Sequence, residues 1–275
     1  MGRAPMKLHS ITTVVALVFL SSVGLANADQ PKTAIPIDDV TEGKTETPPA
    51  TAFDLRHWKL TLPTGVARGG DSDATEVSTA QLVGGFKDPH FYFDADGAMV
   101  FWCPVNGVTT EGTEYPRSEL REMLEPNDPA VNWTAKGTHV LTARCRVLEV
   151  PSDPKVVIGQ IHSYSGKAKP LVKLQFYKGR IEALVKSSPT KGKDIKLVWP
   201  KVGLDRDINY TIKLENEVLS ITVNGKSQTQ NIAKNDPEWM KQNFYFKAGA
   251  YVQDNQGPAT EGARISFSRL TVNHE

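Results

Sequence analysis

The amino-acid sequence predicts an all-β fold of antiparallel strands, a sandwich or a barrel. Three observations carry the prediction: long helical periodicity is almost absent, short segments alternating apolar and polar residues recur along the chain, and turn-forming pairs such as Lys178-Gly179 and Asn224-Gly225 separate them. Closely spaced strands with few helices form antiparallel layers. One face of one sheet can then be polar and concave, which suits an extended ligand.

Taken in order, residues 1–28 precede the fold. Arg3 and Lys7 lead into an apolar run, Ile11 to Gly24, which ends at Ala26-Asn27-Ala28. This is the pattern of a secretory signal peptide, and the run is short for a membrane span. The mature chain is therefore expected to be secreted, periplasmic or extracellular, with no membrane attachment after cleavage. Residues 29–50 hold Pro31, Pro36, Pro48 and Pro49 among Thr, Glu, Lys and Asp and read as a flexible linker. Residues 51–275 show no second linker and no internal repeat, and read as one domain. Its predicted strands are Ala98–Pro104, Thr138–Val150, Lys155–His162, Leu171–Tyr177, Arg180–Lys186, Tyr210–Glu215, Val218–Val223, Asn243–Gln253 and Arg264–Val272. Two short helical turns are expected, one after Ser78 and one near Asp236, with Pro237 at the first helical position. Arg68–Glu76 spaces its carboxylates unevenly, fits no calcium-loop pattern and reads as a plain loop.

Charge excludes little. Removing Arg3 and Lys7 from the 32 basic residues leaves 30 against 31 acidic ones. No basic tract suggests nucleic acid, so an acidic ligand must meet a local basic cluster. Cys103 and Cys145 are the only cysteines. Export favours a disulfide between them, two buried thiols being the alternative. No Cys or His partner stands at metal-ligand spacing, so no metal is expected.

The two-residue strand period exposes the chemistry. In Ile158-Gly-Gln-Ile-His-Ser163, Gln160 and His162 share a face and Ile161 is buried beneath. In Tyr115-Pro-Arg-Ser-Glu-Leu-Arg121, Arg117, Glu119 and Arg121 share a face. In Tyr245-Phe-Lys-Ala-Gly-Ala-Tyr-Val-Gln253, Tyr245, Lys247, Gly249, Tyr251 and Gln253 lie on one side and Phe246, Ala248, Ala250 and Val252 on the other. Each stripe alone has an ordinary explanation: a cross-strand ion-pair ladder, an exposed histidine, a half-wet tyrosine. If the three stripes are neighbours on one sheet, they combine Arg, Gln, His, Lys and Tyr into a surface for binding carboxylates and moving protons.

These segments also resemble the alginate lyases of polysaccharide lyase family seven. The matching motifs are Tyr-Pro-Arg-Ser-Glu-Leu-Arg-Glu at 115–122, Gln-Ile-His at 160–162 and Tyr-Phe-Lys-Ala-Gly-Ala-Tyr-Val-Gln at 245–253. Phe53-Asp-Leu-Arg-His-Trp-Lys-Leu-Thr-Leu-Pro63 looks like the family's opening segment. The resemblance implies a jelly-roll β-sandwich of two antiparallel sheets with a concave substrate groove, acting as a monomer on alginate, without a cofactor, by β-elimination. It implies catalytic roles for Arg117 and Gln160, which neutralise the uronate carboxylate, and for Tyr251 as the acid that protonates the leaving O4; on chemical grounds His162 is the expected base for guluronate, while on mannuronate Tyr251 could serve both steps. Glu119, Arg121, Lys247, Gln253 and Tyr245 are assigned to substrate binding, with Glu119 orienting Arg117. The Gln-Ile-His variant is associated in the family with guluronate-containing blocks. Nearby cations are expected to pull Tyr251 below its usual pKa of about 10. The loops Ser163–Pro170 and Asp254–Gly262 leave the catalytic strands and are candidates for closing over the groove.

Rival readings are a lyase for another polyuronate such as glucuronan, a non-catalytic sugar-binding sandwich, and a glycoside hydrolase. The hydrolase needs two carboxylates on one face, and Glu119 and Glu122 have opposite strand parity.

Overall fold

The computed structural model describes residues 53–68, 71–165 and 169–275. The expected signal peptide and linker lie outside the described residues. In chain order the strands are β1 (Trp58–Arg68), β2 (Asp71–Val77), β3 (Phe91–Phe93), β4 (Met99–Pro104), β5 (Arg117–Glu122), β6 (Trp133–Thr134), β7 (Thr138–Glu149) and β8 (Lys155–Ser163). They continue with β9 (Val172–Tyr177), β10 (Arg180–Lys186), β11 (Asp194–Lys201), β12 (Ile208–Glu215), β13 (Val218–Val223), β14 (Lys226–Asn231), β15 (Asn243–Val252) and β16 (Gly262–His274). A nine-stranded sheet runs β11-β10-β9-β8-β15-β5-β1-β2, with β6 paired to β15. A seven-stranded sheet runs β14-β13-β12-β7-β16-β4-β3. Every pairing is antiparallel.

The alternation read from sequence sets which residues fill the core. Phe244, Phe246, Ala248, Ala250 and Val252 of β15 are fully buried, as are Phe101 of β4 and Ile265 and Phe267 of β16. Edge-on aromatic contacts, Phe91–Phe101 at 5.2 Å and Phe101–Phe267 at 5.4 Å, fix the ring geometry of the smaller sheet. Both expected helical turns form. Ser78 caps α1 (Thr79–Val83) in a reciprocal capping box with Gln81. Asp236 caps a 3₁₀ turn over Pro237–Lys241, which follows the short α2 (Ile232–Asn235).

Arg68–Glu76 is not a plain loop: from Asp71 it is β2, an edge strand paired with β1, and within Asp73–Val77 it buries Ala74 and Val77. Its polarity is that of an edge strand facing water. The expected Cys103–Cys145 disulfide does not form; both cysteines are free, buried thiols. Cys103 of β4 pairs with Ala263, and Cys145 of β7 with Phe267, on opposite sides of β16. One whole strand therefore separates them, about 10 Å across the sheet, with a further offset along it. A disulfide spans a Cα separation of about 7 Å at most.

Two irregularities shape the centre of the larger sheet. The β15–β8 register shifts between Ala248 and Tyr251, and the β8–β9 register between Val157 and Gly159. Such bulges leave a carbonyl without its ladder partner. Tyr210, reaching across from β12, donates its hydroxyl to the Ile158 carbonyl at 2.8 Å. Gly159 makes room for it, since a Cβ there would stand 2.9 Å from the Tyr210 hydroxyl.

Candidate active site

Strands β8, β15 and β5 are consecutive, and their registers bring the predicted residues side by side. Tyr251 pairs with Arg117, Gly249 with Glu119 and Lys247 with Arg121. On the other flank Lys247 pairs with Gln160 and Tyr245 with His162. Directly opposed residues share a face about 4.5–5.5 Å apart, so the three stripes merge into one patch. Lys173 of β9 extends the row beyond Gln160.

Glu119 is the hub. Fully buried, it accepts from Lys247 Nζ at 2.6 Å and Gln160 Nε2 at 2.5 Å, with Arg117 Nη1 at 3.5 Å. Burial alone would raise its carboxyl, yet the charges of Lys247 and Arg117 hold it below the usual range. Burial pushes the Lys247 ammonium down to about 8 despite Glu119. Glu122 points the other way, into the layer between the sheets, where it meets His274 of β16. No carboxylate pair of the hydrolase kind arises from these two.

Arg117 leaves a specific gap. Its Nη1 faces Glu119, but Nε and Nη2 are buried without a hydrogen-bond partner. Nε and Nη2 together form the side-on fork that takes a carboxylate through two parallel bonds. Buried donors left unpaired are rare in folded proteins and costly, so such a pair marks a place where a ligand group belongs. The Tyr251 ring lies over the same guanidinium, 3.9 Å from Cζ to ring centroid.

His162 Nδ1 is 2.7 Å from the Ser163 carbonyl oxygen. A carbonyl only accepts, so Nδ1 carries the hydrogen and the neutral ring keeps its lone pair on Nε2. The ring stacks on Tyr245 at 5.3 Å and 16°. Burial, then the charge of Lys247, push its pKa down to about 4. Tyr251 departs from the sequence expectation: burial pushes the phenol up and outweighs the opposing charge of Arg117. At neutral pH the patch thus presents a neutral imidazole and a protonated phenol.

Arg121 shares the face but spends its guanidinium on the fold. Nη1 donates to the Glu122 carbonyl at 2.8 Å, Nη2 to the Pro129 carbonyl at 2.7 Å and Asn132 Oδ1 at 2.9 Å, while its plane backs the Tyr245 ring at 4.1 Å. Gln253 accepts from Lys173 Nζ at 3.2 Å. Sequence reasoning missed Lys173 and Gln175, which share the polar face of β9. Their signal was present, since Leu171–Tyr177 alternates like the other three stripes. Of the two candidate closing loops, Asp254–Gly262 is tied down: Asp254 Oδ2 accepts from the Asp153 amide at 3.1 Å and Glu261 Oε1 from the Ser152 amide at 2.5 Å. Part of the other, residues 166–168, lies outside the described residues. Among the described residues no group of three or more His, Cys, Asp or Glu side chains is placed to hold a metal ion.

A family model described as alginate lyase matches residues 53–274. The chain belongs to the alginate lyase family. A curated alginate lyase from Klebsiella pneumoniae is 26% identical over 281 residues, covering 82% of this chain and 91% of that relative. Among solved structures, alginate lyase A1-II′, a member of polysaccharide lyase family 7, is 38% identical with a TM-score of 0.77, over 83% of this chain and 99% of that one. An alginate lyase from Pseudomonas aeruginosa is 40% identical with a TM-score of 0.73, over 81% of this chain and 100% of that one. A1-II′ has also been crystallised with a product written GGG, as a variant lacking a tyrosine, and with a substrate written GGMG, as a variant lacking a histidine and a tyrosine. The two antiparallel layers of this alginate lyase are accordingly the jelly-roll sandwich of polysaccharide lyase family 7.

Proposed function

We propose that this alginate lyase is a secreted enzyme that cleaves 4-linked uronate polymers by β-elimination, leaving a 4,5-unsaturated sugar at the new end, and that it accepts guluronate-containing blocks. The observation that carries the reading is the unpaired Nε and Nη2 of Arg117, buried on one sheet face with Gln160, His162 and Tyr251.

The obstacle to the reaction is that C5–H is a poor acid beside an ionised carboxylate. Arg117 and the free amide hydrogen of Gln160 take that carboxylate and absorb the charge that builds as C5 gives up its proton. His162 Nε2 removes the C5 proton, the electron pair forms the C4–C5 double bond, and the C4–O4 bond breaks. Tyr251 delivers its phenolic proton to O4. Glu119 acts by fixing Arg117, Lys247 and Gln160, while Lys247, Gln253 and Tyr245 border the sugar and Arg121 supports it from behind the Tyr245 ring. The bound carboxylate also supplies the negative charge that lifts the His162 pKa back towards neutrality.

The protonation states favour guluronate. There the C5 proton and O4 lie on opposite faces of the ring, so a base and a separate acid are needed, and a neutral His162 with a protonated Tyr251 supplies both. In mannuronate they lie on one face, and Tyr251 would first have to ionise, against the upward push of its burial. A1-II′ supports the reading, since the residue types replaced in its substrate complex, one histidine and one tyrosine, are those that His162 and Tyr251 contribute here. Export rests on the Ala26-Asn27-Ala28 pattern after its apolar run. Ultraviolet absorbance from the unsaturated product, followed on purified polyguluronate, polymannuronate and glucuronan, tests the proposal. Initial rates should be highest on polyguluronate or mixed blocks. Faster cleavage of glucuronan would reassign the substrate, and a strong mannuronate preference would defeat the assignment of bases.

A further inference from the structure

Behind the polar face lies a second polar cluster that β-elimination does not use. Glu122, the last residue of β5, is 2% exposed. Its Oε2 accepts from the Phe246 amide at 2.8 Å and Trp133 Nε1 at 2.9 Å, and its Oε1 lies 2.6 Å from His274 Nε2. His274 Nδ1 is 2.8 Å from His139 Nδ1, and His139 Nε2 is 2.8 Å from the Lys136 carbonyl oxygen. The ionisable groups that face one another are Glu122 from β5, His139 from β7 and His274 from β16, with the neighbouring Arg121 guanidinium donating to the Glu122 carbonyl at 2.8 Å. The neighbours from β6 and β15 do not titrate: Trp133 stacks on His139 at 4.3 Å and packs against Phe244 and Phe246.

The Lys136 carbonyl only accepts, so His139 Nε2 carries a hydrogen. A second hydrogen must lie between the two Nδ1 atoms and a third between His274 Nε2 and Glu122 Oε1. Two neutral imidazoles supply only two. We infer that Glu122, His274 and His139 together hold one extra proton, and that through it Glu122 and His274 are positioning residues for the catalytic strand β15. The mechanical link is short: the amide that Glu122 caps belongs to Phe246, between Tyr245 and Lys247 of the polar face. Without the extra proton, either a ring lone pair would stand 2.6 Å from a carboxylate oxygen or two ring lone pairs would face each other at 2.8 Å, and one bond of the chain would break. Burial disfavours charge on His139, and the two N–H donors on Glu122 Oε2 suit an ionised carboxylate, which leaves the proton on His274.

The effect on turnover rests on the proposed roles of Lys247 and Tyr251; the proton count does not. ¹⁵N NMR of the histidine rings in the full-length protein, with the Glu122→Gln and Glu122→Ala variants, tests it. In the wild type at neutral pH, His274 should carry hydrogen on both nitrogens and His139 on Nε2 alone. In Glu122→Gln the new amide donates to a neutral His274, so every bond survives with one proton fewer. That variant should keep kcat within about twofold and Tm within about 2 °C of the wild type. Glu122→Ala leaves two buried N–H groups unpaired and should lower Tm by about 5 °C or more, with kcat falling more than KM changes. A bare His274 Nε2 in the wild type would overturn the inference. So would Glu122→Gln as damaged as Glu122→Ala. Because the NMR result is independent of substrate, failure of the proton count and failure of the lyase reading are separable.

Discussion

Tyr251 and His162 divide the proton work because one sheet face treats an acid and a base in opposite ways. Burial raises the phenol and keeps its proton in place; burial and Lys247 lower the imidazole and keep it neutral. Tyr251→Phe retains the ring over Arg117 and removes only the proton, so kcat should fall by about 10²–10⁴, with the circular dichroism spectrum unchanged. The same logic fixes the pH profile of kcat/KM, which reports groups of the free enzyme. His162 must be neutral, so activity is lost as pH falls through about 4. Lys247 must be charged to hold Glu119 and draw in the uronate, so activity is lost as pH rises through about 8. A Lys247→Arg variant that remains active should displace the alkaline limb upward, because arginine stays charged throughout; an unmoved limb would take Lys247 out of that role. Stability has its own sign. With an unfolded pKa of about 6.5, the depressed His162 removes stability as pH falls from there towards about 4.

At the scale of elements, the registers that join β5, β15 and β8 decide whether the side chains meet. Gly249 faces Glu119 with φ of +148°, and a Cβ there would lie 2.5 Å from the Ser118 carbonyl oxygen and 2.7 Å from the Glu119 Cα. Gly249→Ala must therefore push β15 away from β5. It should cost about 1–3 kcal/mol, measured by chemical denaturation, and lower kcat as Tyr251 loses its seat over Arg117. This scale also shows where sequence stops being informative. The alternation in 117–121, 160–162 and 245–251 made the polar stripes legible, because a two-residue period decides which residues share a face. The sequence could not reveal that these strands are adjacent, a property of long-range pairing. Edge strands β2, β11 and β14 escaped because water-facing edges carry the polar residues of loops, and β1 because Pro63 and Gly65 interrupt its pattern next to a register shift.

At the largest scale, the described residues form a two-layer scaffold whose stability rests on buried apolar strands, with no cross-link between Cys103 and Cys145. Tm should consequently be the same with and without a thiol reductant, and a fall on reduction would contradict the free thiols. The disulfide expectation failed because compartment and cysteine count say nothing of the strand that lies between two residues. The protonation states of the site escaped for a related reason: charges can be counted in a sequence, but burial, which dominates both His162 and Tyr251, belongs to the assembled sandwich. What the assembled sandwich provides is a carboxylate-shaped gap beside a neutral base and a protonated acid. A crystal structure of Tyr251→Phe with a guluronate tetramer tests this most directly. The sugar carboxylate should lie within about 3.1 Å of Arg117 Nε and Nη2 and of Gln160 Nε2, with C5 turned towards His162 Nε2. A carboxylate held elsewhere on the sheet, with the Arg117 fork still unpaired, would contradict the account.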